Sequence, residues 1–97
     1  MPDVSVIDNT AEARYELAEN GSLLGFVQYR DRAGARVLVH TEVDQAHEGE
    51  GLGSRVIEGA LADIRARGLE LVPLCPFVRA YLRSHPEQAD LVAPRAV

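Results

Sequence analysis

The spacing of apolar residues changes about halfway along the chain. Up to residue 43 they recur at every second position or in short runs, as in half-buried strands. Val4 and Val6, then the run Ala11–Ala18 with Tyr15 and Leu17 on one face, predict short strands. Glu19-Asn20-Gly21 predicts a hairpin turn, because Asn and Gly take positive φ at little cost. Leu23–Tyr29 predicts the next strand and Asp31-Arg32-Ala33-Gly34 the next turn. From Arg36 to Val43, strict alternation puts Val37, Val39, Thr41 and Val43 on one face and Leu38, His40 and Glu42 on the other. The first half therefore reads as a meander of antiparallel strands.

Beyond residue 50 the period lengthens. Leu52, Val56, Ile57, Ala60, Leu61 and Ile64 fall on one stripe of a helix spanning 51–67, with Arg55, Glu58, Asp63, Arg65 and Arg67 off it. Gly68 suits the residue just past the helix end, and Arg65 and Arg67 suit the negative end of its dipole. Leu69–Cys75 is short and almost wholly apolar, which predicts a buried parallel strand and hence a right-handed strand–helix–strand unit with 36–43. Pro76 opens a second helix carrying Phe77, Val78, Ala80, Tyr81 and Leu82, stopped at Ser84-His85-Pro86. Residues 87–97 predict a short helix or a tail. The fold class is α/β, in one domain over 1–97: a mixed, mostly antiparallel sheet with one long and one short helix.

Composition narrows the function. Of 97 residues, 46% are hydrophobic and 26% charged, a balance of globular rather than disordered chains. The net charge of −5 argues against nucleic acid or an anionic membrane as partner. No apolar stretch is long enough to span a bilayer, and Met1-Pro2-Asp3 begins no secretory signal. The lone cysteine, Cys75, forms no internal disulfide, so the expected compartment is a reducing cytoplasm. All the basic residues are arginines, which excludes self-modification on lysine. Cys75, His40, His47 and His85 show no zinc-ligand spacing, so no metal is expected.

Candidate chemistry sits at the strand-to-helix junction. Gly49-Glu50-Gly51-Leu52-Gly53 places three alternating glycines before an amphipathic helix, so the backbone can approach a ligand and aim unpaired amides at a phosphate or pyrophosphate. The spacing fits neither G-x-G-x-x-G nor a P-loop, and a plain tight turn entering a helix remains an alternative. Cys75, at the expected N-cap of the second helix, sits where a dipole stabilises a thiolate; alternatively it is a small buried residue. His40 and Glu42 share a strand face and fit a general base, or simply a solvated polar face. Arg79 and Arg83, four apart on one helical face, suit phosphate or solvent.

Three segments taken in order, His40-Thr41-Glu42-Val43, Glu48-Gly49-Glu50-Gly51-Leu52-Gly53 and Pro73-Leu74-Cys75-Pro76-Phe77-Val78, resemble the GNAT superfamily of N-acetyltransferases. The likeness is greatest to its minimal members of about a hundred residues and covers about residues 10 to 92. The resemblance implies acetyl-CoA as the small-molecule partner and acetyl transfer to an amine or small nucleophile. The cofactor would be held by Val43, Gly49, Glu50, Gly51, Leu52, Gly53 and Ser54 with Arg79 and Arg83. It implies Cys75 as acyl relay or lining thiol, His40 or Glu42 as base, and Tyr81 as the acid that protonates the departing thiolate. Glu48 stands where the superfamily has Gln or Arg. No segment matches the helical pair and hairpin that shape the acceptor pocket in longer members, so an acceptor site that is open or completed by another chain is expected; the chain itself is expected to be a monomer or weak homodimer. Two other readings stay in play: a non-catalytic acyl-CoA-binding or sensing module, and a small protein-interaction domain.

Overall fold

A computed structural model of the chain describes residues 4–44 and 51–94, so the candidates Gly49 and Glu50 fall outside the described residues. Its strands run β1 (Val4–Asn9), β2 (Arg14–Glu19), β3 (Ser22–Arg32) and β4 (Ala35–Val43), followed by helix α1 (Leu52–Ala66). Then come β5 (Glu70–Pro73), helix α2 (Pro76–Ser84) and a short 3-10 helix, Pro86–Leu91. The five strands lie in sequence order, antiparallel except for the parallel pair β4–β5.

Turn chemistry sets the meander. Asn20 and Gly21 take φ of 50° and 81°, and Ala33 and Gly34 take 48° and 82°. Both pairs are left-handed two-residue turns whose twist matches that of the strands they join. The second turn is tighter than the sequence suggested, so β3 extends through Asp31 and Arg32. The first strand run divides at a turn over Thr10–Ala13, in which Asn9 Oδ1 accepts from the Glu12 amide.

Alternation in β4 is broken. Leu38 pairs with Tyr29 and His40 with Gln28, leaving Val39 as the extra residue of a β-bulge. Arg36 and Leu38 therefore share the helix-covered face with Thr41 and Val43, while Val37, His40 and Glu42 face the other way. The expected grouping of Val37 with Thr41, and of Leu38 with His40, is thus corrected.

Helix α1 keeps to its expected bounds. Val56, Ile57, Ala60, Leu61 and Ile64 are fully buried against Tyr15, Leu17, Val27, Leu38 and Leu71. Between helix and strands the Val6 side chain packs onto the bare backbone of Gly59, where a Cβ would lie 2.6 Å from it. The β5 strand is shorter than expected, because Pro73 has no amide to donate and Leu74 and Cys75 both turn their amides onto Leu38 O at 3.1 and 3.0 Å. Beyond the 3-10 helix, Val92 bridges Leu71 and the Ala93 amide donates to Leu71 O, covering the far edge of β5. No helix among the described residues is long and apolar enough to cross a membrane.

At the end of the sheet where β4 begins, Arg36 gathers charges from four elements. Its guanidinium makes a bidentate pair with Asp31 at 2.7 and 2.8 Å and reaches Asp8 at 3.1 Å and the Tyr15 hydroxyl at 2.9 Å. Tyr15 in turn donates to Asp63 at 2.7 Å, Tyr29 donates to Asp8 at 2.6 Å, and Arg67 binds Asp63 at 2.7 Å. The guanidinium also lies 4.0 Å from the Tyr29 ring centre. Burial first, then the carboxylate neighbours, push the Tyr29 phenol up to about 12.

Candidate functional site

At the opposite end of the sheet, β4 and β5 part company. Their pairing stops at Leu38 and Pro73, so the last five residues of β4, Val39–Val43, have no partner in β5. The N-termini of α1 and α2 flank this opening.

Gly51 precedes α1 in a left-handed conformation, φ 73° and ψ 18°, which glycine adopts freely. Having no side chain, it caps nothing; the first intrahelical bond is Arg55 N to Gly51 O. The amides of Leu52, Gly53 and Ser54 thus have no partner inside the helix, and the first turn carries no acidic residue to neutralise them. Ser54 is exposed, whereas Leu52 and Gly53 are buried. Gly53 is covered by the ring of Phe77 from α2, which a Cβ would approach to 2.4 Å.

Cys75 is the N-cap residue of α2, as the sequence led one to expect, and is 4% exposed. Its Sγ lies 3.4 Å from Thr41 Oγ1, across the opening. Leu74 and Phe77 on either side of it are exposed, at 38% and 45%. Arg79 does not point free: its Nε donates to Pro73 O at 2.8 Å and fixes the end of β5. Arg83, exposed in the last turn of α2, makes no ion pair among the described residues. Tyr81 is buried and stacks on His85 at 4.0 Å, with His85 Nδ1 donating to its carbonyl. Burial, then Glu58 and Glu87, push its phenol up, so it holds its proton across the neutral range.

His40 and Glu42 lie on the face of β4 opposite Thr41, and their side chains meet, Nε2 to Oε2, at 2.9 Å. Against a carboxylate Nε2 is the donor, and in the neutral imidazole that tautomer leaves the lone pair on Nδ1. The structure therefore brings His40 together with Glu42, and Cys75 together with Thr41, but keeps the two pairs on opposite faces of one strand. Phe26 lies edge-on to His40 with ring centres 6.4 Å apart, and the Arg14 guanidinium sits 4.6 Å from its ring centre.

Beside Glu42 the sheet end is hollowed by a shallow depression of about 200 Å³, lined by Leu23, Leu24, Gly25, Phe26, Glu42, Val43 and Asp44. Gly25 permits the close approach of the strands there, since a Cβ would lie 2.8 Å from Glu42 O. Sequence reasoning passed over Thr41, Phe77 as a lid on Gly53, and this depression. The first was hidden by the bulge at Val39. The other two depend on contacts between elements, although Leu23 and Phe77 are half-exposed large apolar side chains. No cluster of three metal-ligating side chains occurs among the described residues.

Comparison with known proteins gives this architecture its class. The sequence profile of the GCN5-related N-acetyl-transferase family matches residues 14–91, and the chain belongs to that family. A GCN5-like protein from Staphylococcus aureus superposes over 96% of this chain and 91% of its own, with a TM-score of 0.71 at 18% identity. Ard1 from Thermoplasma volcanium matches 61% of this chain at 20% identity and a TM-score of 0.53, and this chain spans 40% of it. A GNAT family acetyltransferase from Brucella melitensis, solved in complex with acetyl-CoA, is 25% identical over 74% of this chain, which spans 55% of that structure, with a TM-score of 0.56. No curated protein is similar in sequence at a significant level.

Proposed function

We propose that this protein binds acetyl-CoA in the opening between β4 and β5 and transfers the acetyl group directly to an amine. The observation that carries the reading is that opening itself. It is a break in the parallel pairing, with the uncapped, acid-free N-terminus of α1 at its mouth. Those amides fit a pyrophosphate, and the parted strands with Leu74 and Phe77 fit an apolar arm. Val43 and Gly51–Ser54 would line the donor site, with Gly49 and Glu50 preceding it in the chain. Arg83 is free to reach a phosphate, whereas Arg79 supports the end of β5.

In the transfer, the acceptor nitrogen attacks the thioester carbonyl and forms a C–N bond while the C–S bond breaks. His40 Nδ1, oriented by Glu42, takes the proton from the nitrogen. Tyr81, kept protonated by burial, is assigned the proton that the CoA thiolate receives. Cys75 lines the thioester slot. A nucleophilic thiol needs a neighbouring base, and the polar neighbour of Sγ among the described residues is a threonine hydroxyl. A relay through Cys75 is the second reading, favoured by its place at the N-terminus of α2. The free thiol is compatible with a reducing cytoplasm.

Calorimetric titration with acetyl-CoA tests the donor site, with Ser54→Asp as control. An acid in the first turn strengthens a helix yet repels an anion, so the variant keeps its stability and loses about tenfold or more in affinity. Wild-type protein that shows no saturable binding, or equal binding by the variant, overturns the donor site. An acetyl adduct on Cys75, trapped by rapid quench and lost in Cys75→Ala together with turnover, would replace direct transfer by the relay.

A further inference from the structure

The depression at the end of β3 and β4 is chemically two-sided. Leu23, Leu24, Phe26 and Val43 give it an apolar floor, and Glu42 and Asp44 are the two charged residues of its lining, both acidic. Leu23 is 45% exposed, an apolar surface that the fold leaves to solvent at this spot. Arg14, the cation near Phe26, is held by Glu16 at 2.6 Å, so its charge is compensated in place. Glu42 belongs to both settings. It lines the hollow, and its Oε2 bonds His40 Nε2, while Oε1 has no protein partner among the described residues.

We infer that this depression is the acceptor subsite, and that it takes a primary ammonium carried on an apolar stem rather than an amino acid or other amine bearing a nearby anionic group. The inference rests on the transfer reading above for its role and on the lining for its selectivity. A cation is drawn to Glu42, and the stem covers Leu23, Leu24 and Phe26. The nitrogen then lies against Glu42, the partner of His40; the ammonium gives one proton to His40 to become the nucleophile and loses the second to solvent as the C–N bond forms. The depression, about 200 Å³ and open to solvent, has room for a short chain. A carboxylate close to the amine would meet Glu42 and no base in the lining. The specificity is thus set as much by repulsion as by attraction.

The test separates binding from turnover. In two-dimensional NMR of the whole chain without acetyl-CoA, n-pentylamine is expected to shift the amides of Leu23, Leu24, Phe26 and Val43. Pentanoate and norleucine are expected to leave them in place. Methylamine, lacking the stem, is expected to bind about tenfold more weakly or worse. Leu23→Ser, an exposed site that leaves the core intact, should weaken pentylamine by about fivefold, and Glu42→Gln should weaken it as well. Shifts that map elsewhere, pentanoate or norleucine binding as well as the amine, or affinity unchanged in both variants would each overturn the subsite. Amine binding in the hollow by a protein that does not bind acetyl-CoA would leave the subsite standing and remove the transfer reading. Transfer to methylamine or norleucine as fast as to pentylamine would do the reverse.

Discussion

Arg36 reaches three carboxylates and two phenols from near the start of β4, with its side chain 7% exposed. Two arginines precede it in sequence, at 30 and 32, both exposed, and no spacing rule distinguishes the three. What singles Arg36 out is the pleat. Its partner across the turn is Asp31, and its side chain points under the helix rather than to solvent. Removing it leaves Asp31, and Asp8 with its own side chain 8% exposed, without their nearest counter-charge, while Asp63 keeps Arg67 at 2.7 Å. Breaking a buried pair on one side costs about 3–5 kcal/mol. Arg36→Ala is therefore expected to lower the melting temperature by more than 10 °C, at about 4–8 °C per kcal/mol for a chain of this size. A fall of only a few degrees in a thermal melt would show the network to be dispensable.

Between elements, two glycines of α1 look alike in sequence and differ in what they face. A Cβ at Gly59 would lie within 2.6 Å of Val6 on β1, and one at Gly53 within 2.4 Å of Phe77. Val6 is fixed in a strand, so its contact yields only by moving helix from sheet. Phe77 presents a half-exposed ring that can swing aside. Alanine gains about 1 kcal/mol of helix propensity over glycine, and overpacking costs about 1–3 kcal/mol. Gly59→Ala is expected to destabilise, and Gly53→Ala to be neutral or stabilising, in chemical denaturation at unchanged m-value. The reverse order would contradict this packing. The same scale explains what the sequence revealed. Helix α1, α2 and the places of both hairpin turns followed from spacing and from Pro, Asn and Gly, because those signals are local, although the second turn is tighter than the four residues 31–34 suggested. The bulge at Val39 did not, because the side that Thr41 faces is decided by pairing with β3, and β5 was read as too long because its end is set by contacts with Leu38.

For the molecule as a whole, the charged network joins β1, β2, β3, β4 and α1 at one end of the sheet, and this bears on its response to acid. Hydrogen bonding from Arg36 holds the Asp31 carboxyl below its usual range. Burial opposes ionisation of Asp63, but hydrogen bonds from Tyr15 and Arg67 outweigh it and lower that group too. Groups depressed in the folded state stabilise it fully above the ordinary carboxylate range of about 4, and lose that contribution as pH falls through the depressed values. The melting temperature is expected to hold from neutrality to about pH 5 and to drop below about pH 4. The drop should be smaller in Asp63→Asn, whose starting stability is lower. An acid limb equally steep in the variant would place the titrating groups elsewhere.

The parallel pairing of β4 with β5 spans only four residue pairs, from Ala35 with Glu70 to Leu38 with Pro73, and joins segments 35 positions apart. Every other pairing in the sheet closes through a turn of a few residues. Closing a long loop for so few bonds is entropically slow, so the meander assembles first and the last strand docks late, carrying α2 with it. The opening that we assign to acetyl-CoA comes into being only at that final step. The same order is expected in reverse under native conditions: the amides of β5 exchange with solvent through a smaller opening than those of β2 and β3. Acetyl-CoA would then act as a clasp, slowing exchange in β5 and α2 while leaving the meander unchanged. Equal exchange across all five strands would mean that the chain closes as one piece.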